Sequence, residues 1–222
     1  MRKSALFAFA LTLIMGASVN AVPTLQLFVA GGTYDNSTET WVANSNSFDL
    51  YVIGANEVLH NVMVSMALNI PEATNPNGSA NIDVNGHAYN SWTYGTPDLL
   101  PPHDIFPAWY TEFNSGNYGY VGRVGDTNDE LHPYDPSQGY LSHGGAWGQY
   151  RRFHITLTGI DYTHFDGFLY TQDHRCHTRI QFAPFSHDAE SGGSAVPEPG
   201  TLALFGLGSL GMGLVRKFRK QA

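Results

Sequence analysis

The chain has 222 residues, enough for one domain once its two ends are set aside. Charged residues make up 14% of it, against roughly a quarter in an average soluble domain, while 24 glycines and 13% aromatic residues argue against a helical bundle or coiled coil. Residues 22–195 hold five Arg, no Lys and 18 of the 19 carboxylates, a formal charge of −13. That balance excludes a nucleic-acid partner, whose affinity comes mostly from Lys and Arg neutralising phosphates.

The first element in chain order is an export signal. Met1-Arg2-Lys3 is a short positive stretch, Ala5 to Gly16 is an apolar run broken only by Thr12, and Val19-Asn20-Ala21 offers small residues at the two positions a signal peptidase reads. This order predicts a signal peptide over residues 1–21, cut after Ala21 by signal peptidase, so that Val22 starts the mature protein. The run is too short for a bilayer span of about 20 residues.

From there the chain alternates. Leu25, Leu27 and Val29 oppose Thr24, Gln26 and Phe28; Phe48, Leu50 and Val52 oppose Asp49 and Tyr51; Val62, Val64, Met66 and Leu68 oppose Asn61, Met63 and Ser65. Period two predicts half-buried strands. Asn85-Gly86, between Ile82–Val84 and His87–Tyr89, predicts a type I′ hairpin. The stretch from Tyr94 to Gly145 holds six prolines and reads as long loops, with strands only around Ala108–Phe113 and Tyr118–Val124. Arg152 to Thr158 alternates most clearly, with Phe153, Ile155 and Leu157 on one face, and Ile180 and Phe182 repeat the pattern. No stretch keeps helical spacing over three turns without Gly or Pro. The fold class expected for residues 22–187 is therefore all-β: an antiparallel β-sandwich, jelly-roll or Ig-like, with long loops. The single cysteine, Cys176, cannot close an internal disulfide, so packing and strand pairing must hold this body together. Residues 188–195, Asp-Ala-Glu-Ser-Gly-Gly-Ser-Ala, read as a flexible linker.

All ten histidines lie in the body. On an extended strand His174 and Cys176 face one side and Asp173 and His177 the other, so a zinc site there needs His132 or His143 to converge from elsewhere, which nothing in the spacing requires. Asp126-Thr127-Asn128-Asp129-Glu130 resembles the start of a calcium loop, but Leu131 stands where such a loop needs Gly, and the closing bidentate Glu is missing. Ser186-His187-Asp188 has the residue types of a hydrolase triad, yet adjacent side chains point apart. No G-x-S-x-G occurs. The expectation is a body with no catalytic residue, no metal ligand and no cofactor. Its loop aromatics, Trp92, Trp109, Tyr118, Tyr120 and Trp147 among them, are expected to pin the loops onto the sandwich. A sugar-binding platform is the alternative use for them, and a secreted hydrolase stands further back.

The C-terminus carries the most specific pattern. Val196-Pro197-Glu198-Pro199-Gly200 is followed by Thr201, by 14 residues from Leu202 to Val215 in which Ser209 alone is polar, and by the basic cluster Arg216, Lys217, Arg219 and Lys220. The prolines hold Val196 and Glu198 extended and accessible. The apolar run can enter a bilayer as a short hydrophobic helix, and the basic cluster resists translocation. At about 1.5 Å per residue that helix spans roughly 21 Å, short of a hydrocarbon core of about 30 Å, which suits a transient anchor through residues 201–215. Gly206-Leu-Gly208-Ser-Leu-Gly211 matches G-x-G-x-x-G, but no strand–helix unit surrounds it and no acidic residue follows, so it is not a nucleotide loop.

Residues 196–222 resemble the PEP-CTERM sorting domain. The resemblance implies export, recognition of the Pro-Glu-Pro motif by an exosortase-type transpeptidase in the membrane, and delivery of the body to the cell envelope or surface of bacteria that make exopolysaccharide. In the body, Pro23 to Val42 and Phe182 to Ala189 resemble the exported proteins called choice-of-anchor N, a family whose name implies no activity. Together these readings predict an exported, non-enzymatic surface or biofilm-matrix protein, with exopolysaccharide as a candidate partner.

Overall fold

The computed structural model describes residues 21–98, 100, 105–172, 178–184 and 187–192. These form fourteen strands and one 3₁₀ turn, with no α-helix among the described residues. The strands are β1 (Leu25–Val29), β2 (Thr33–Asp35), β3 (Thr40–Ala43), β4 (Ser47–Ala55), β5 (Leu59–Leu68), β6 (Asn81–Val84), β7 (His87–Tyr89), β8 (Thr93–Gly95), β9 (Ala108–Tyr118), β10 (Gly122–Val124), β11 (Ala146–Thr158), β12 (Thr163–Gln172), β13 (Thr178–Phe182) and β14 (Asp188–Ser191).

They build two sheets. The first runs β1-β4-β11-β6-β7, with β10 on the end of β11; the second runs β2-β3-β14-β12-β5-β9-β8, with β13 beside β12. All pairs are antiparallel except β14 with β3, so the second sheet is mixed rather than purely antiparallel. The sheets share one core. Leu25, Leu27, Leu50, Val52, Ile82 and Ile155 from the first meet Val64, Met66, Phe113, Phe165 and Leu169 from the second. The rings of Phe48 and Phe165 cross the gap edge to face at 5.8 Å. Full burial of a Leu, Ile or Phe side chain stabilises by about 1.5–3 kcal/mol, and this core is where most of that area lies.

The Asn85-Gly86 hairpin forms as expected: β6 pairs with β7 around it, and both turn residues take the positive φ that type I′ demands, 54° and 86°. β1, β4, β5 and β11 lie where alternation places them, although β11 begins at Ala146, six residues earlier than the pattern suggests. Three expectations are corrected. The strand around Ala108–Phe113 continues to Tyr118, leaving only Gly122–Val124 as the next one. β1 is buried on both faces rather than one, because loop residues 124–134 cover its outer side. Asp188–Ser191, expected within a linker, form β14, a buried strand inserted between β3 and β12. The polar composition of residues 188–195 reads as a flexible linker, but strand pairing on two sides satisfies the backbone of Asp188–Ser191.

Each sheet also carries a smaller cluster on its outer face. On the first, Phe28, Tyr51, Ile53 and Ala55 pack under Val124 and Tyr134. Gln26, fully buried, fastens this cover by donating to the Gly125 carbonyl at 3.0 Å and accepting from the Thr127 N–H at 3.0 Å. On the second, Ala67 and Phe168 pack under Leu100 and Phe106.

Candidate functional site

The outer face of the second sheet holds the densest group of buried ionisable residues described. β12 places His164 and Asp166 two residues apart, hence on one face, opposite the core-facing Phe165. In the register of β12 with β14, His164 lies across from Glu190 and Phe165 across from Ala189, which sets Asp188 beside Asp166. Asp166 is also paired with Ser65 of β5, Ser65 with Glu112 of β9, and Asp188 with Thr40 of β3. One transverse row of the sheet therefore reads Glu112, Ser65, Asp166, Asp188, Thr40, five polar residues on five adjacent strands.

The row is mostly buried. Asp166 and Asp188 are each 2% exposed and His164 8%. His164 Nε2 stands 3.2 Å from Asp166 Oδ1 and 4.0 Å from Asp188 Oδ2. One ligand atom from each of the three lies within 4.8 Å of the others. Tyr162 closes the row's flank by donating to Glu190 Oε2 at 2.7 Å. At the other end burial raises the Glu112 carboxyl above its usual range, with the charge of Asp98 adding to the effect. A carboxylate pair directly across a strand boundary is unfavourable unless positive charge is brought to it. The arrangement can hold a proton on His164 or a cation between the three side chains.

A second polar junction sits next in sequence. His187, 5% exposed, meets Asp126 Oδ1 at 2.8 Å, and that same oxygen accepts from the Asn128 N–H at 2.8 Å. His187 and Asp188 thus serve different partners, as adjacent residues on an extended segment must; the triad order of Ser186-His187-Asp188 has no geometric counterpart in these two. The calcium-like run is also accounted for locally. Asp129 Oδ1 accepts from the Leu131 and His132 N–H groups, bonds that hold its carboxyl below the usual range. Oδ1 of Asp129 serves the turn, and Oδ1 of Asp126 serves the turn and His187.

Beside that turn lies a cleft of about 790 Å³, lined among others by Asp126, Asp129, His132, Asp135, Tyr140 and His143. Burial raises the Tyr134 phenol, which forms one of its walls and donates to the Gly139 carbonyl at 3.0 Å. On the same loop-covered sheet, Trp147 is 51% exposed, with the Arg123 guanidinium 4.8 Å above its ring. The other loop tryptophans differ from it: Trp92 is 4% exposed and donates to the Ala80 carbonyl at 3.0 Å, and Trp109 is half-buried, with its indole directed at the Pro71 carbonyl.

Of the residues singled out in the sequence, Ala21 is the first described; it is exposed, and Val22 behind it packs against the Phe28 cluster and accepts a hydrogen bond from Asn56. His132 and His143 line the cleft, while His174, Cys176 and His177 lie outside the described residues. So do the motif Val196, Pro197, Glu198 and Pro199, the apolar segment 201–215, and the basic residues Arg216, Lys217, Arg219 and Lys220. No helix among the described residues is long and apolar enough to cross a membrane. The sequence reading overlooks His164 and Asp166. The signal was available as period-two alternation over Thr163–Tyr170, with Phe165 and Leu169 facing the core and two ionisable residues where the outer face begins.

Comparison with known protein families matches the PEP-CTERM protein-sorting motif over residues 195–220. The tail is a sorting signal. No curated protein and no solved structure matched the chain. The PEP-CTERM match covers the tail alone, so the resemblance of the body to choice-of-anchor N proteins has no relative behind it. The motif marks the chain for sorting by an exosortase system, and hence for export and anchoring at the cell envelope.

Proposed function

We propose that this chain is a non-enzymatic surface protein, exported by the signal peptide of residues 1–21 and handed by its PEP-CTERM tail to an exosortase-type transpeptidase, which leaves the two-sheet body in the envelope or extracellular matrix. The observation that carries this reading is the sorting motif at residues 195–220. The order of the tail supports the mechanism: an accessible Pro197-Glu198-Pro199, a short apolar segment that enters the membrane transiently, and basic residues that stay on the cytoplasmic side. β14 ends at Ser191, and four residues separate it from Val196 in the sequence.

Mass spectrometry of the surface fraction tests it. Mature protein should lack Leu202 to Ala222, and a Glu198→Ala change should make uncut precursor accumulate in the membrane fraction. A peptide containing Arg216 on surface-located protein would refute processing. A second reading, a carbohydrate-binding surface, is favoured by one observation: the acidic, tyrosine-walled cleft and the exposed Trp147 occupy the same loop-covered sheet. Flat aromatic rings beside carboxylates suit sugar rings, which offer an apolar face and a rim of hydroxyl donors.

A further inference from the structure

We propose that His164, Asp166 and Asp188 bind a divalent ion of the zinc class, with Ser65 facing the same ion, and that this buried site fastens β14 to β12. The three side chains come from two adjacent strands and present one nitrogen and two carboxylates from a single face. An imidazole with carboxylates is a borderline donor set; it suits Zn²⁺ better than Ca²⁺ or Mg²⁺, which take oxygen ligands alone. Two ligands each about 2.1 Å from one ion stand roughly 3 to 4 Å apart. The separations of His164 Nε2 from Asp166 and Asp188, 3.2 and 4.0 Å, lie in that interval.

Ser65 supplies the independent observation. It is fully buried, its Oγ has no hydrogen-bond partner among the described residues, and its strand register places it on the same face directly beside Asp166. A buried hydroxyl left unmatched costs about 1–3 kcal/mol, and this one belongs to the residue paired with a proposed ligand. An ion or its bound water gives that oxygen a partner. The site is closed by burial and offers a structural rather than a catalytic ion.

Its position gives it a purpose in this chain. β14 is the last described strand before the sorting tail, only four residues long, and one of its neighbours is β3, from the opposite end of the body, in parallel pairing. A metal bond between Asp188 and β12 secures the segment through which the body is joined to its tail. The inference stands independently of whether the tail is processed.

The test uses the full-length chain purified in detergent, stripped with chelator and reloaded with Zn²⁺ alone. We expect one zinc per chain retained after desalting, an X-ray absorption spectrum with a single imidazole and otherwise oxygen ligands, and a melting temperature that falls by about 5 °C or more in EDTA. Asp188→Asn and Ser65→Ala should each weaken zinc retention, the first by tenfold or more, whereas the double change His132→Gln, His143→Gln should leave it unaltered. No retained zinc, a spectrum with two or more imidazoles, or retention unchanged in Asp188→Asn would overturn the proposal. The wild-type spectrum decides the matter by itself should Asp188→Asn fail to fold.

Discussion

The outer faces of the two sheets are covered in opposite ways. On the first sheet the cover is apolar and aromatic: Phe28, Tyr51 and Ile53 lie under Val124 and Tyr134, and Tyr51 and Tyr140 both lean on Tyr150 at 5.7 and 4.5 Å. On the second sheet an apolar patch around Ala67 and Phe168 adjoins a row of buried ionisable groups. Area removed from water stabilises the first face, and that contribution carries no titrating group. The second face buries carboxylates beside a histidine, so its stability depends on how those charges are matched. The fold therefore has one cover that rests mainly on apolar area and one that holds buried charge, and the charged one includes β14, the last described strand before the sorting tail.

The largest expected effect breaks the shared core at its edge. Trp92 is almost fully buried among residues of the shared core and its indole N–H is satisfied by Ala80. Trp92→Ala should cost about 3–5 kcal/mol, a sum of lost transfer energy and a cavity. A thermal melt should show a fall of about 10 °C or more for a domain of this size. A small shift would mean that the loop carrying Trp92 collapses into the space, and that the aromatics of the loops are not its anchors.

An intermediate effect is expected where the two sides meet. The hydrogen bond between His187 and Asp126 joins the segment leading into β14 to the cover loop of the first sheet. His187→Ala and Asp126→Ala should each destabilise by about 1–3 kcal/mol, since either removes one side of a largely buried hydrogen bond. The double variant should cost less than the sum, with a coupling of about 1 kcal/mol in denaturant melts. Additive losses would show that the two sheets' covers are independent.

How far the sequence reached follows the same division. Alternation exposes β4, β5 and β11 because one of their faces meets the core and their residues pack by period two. The Asn85-Gly86 turn is legible because its φ angles admit few other residues. β1 is misread as half-buried since Gln26 looks like a surface residue; only the loop 99 residues away in sequence, which it hydrogen-bonds, makes it a buried one. β14 is missed for a related reason. Asp188 and Glu190 are residues of a solvated linker unless a parallel strand and an antiparallel one enclose them, and those neighbours, β3 and β12, come from distant parts of the chain. His164 and Asp166 escape because a His-x-Asp spacing means little until Asp188 is brought beside it. The sorting motif, by contrast, is legible from its order, since such a motif is recognised as an extended segment and needs no fold to define it.

The smallest expected effect on stability sharpens the contrast between the two faces and bears on ligand binding. Trp147 belongs to the first sheet, yet half its surface is open, and over its ring lies the Arg123 guanidinium, itself bonded to the Gly144 carbonyl. An exposed cation–ring contact is worth about 0.5–1 kcal/mol at most, and surface changes usually stay within about ±0.5 kcal/mol, so Trp147→Ala should leave the melting temperature nearly unchanged. That neutrality makes it a clean probe. A ring kept in water by a fold that buries Trp92 almost completely is either incidental or a platform, and a platform residue tends to carry a large share of an interface's affinity. Retention of wild type and Trp147→Ala on the host's own exopolysaccharide separates the two. Loss of retention with an unchanged melt would assign the first sheet's face to sugar binding, and equal retention, or none by either protein, would leave the surface protein as a body whose exposed aromatics have no part in holding polysaccharide.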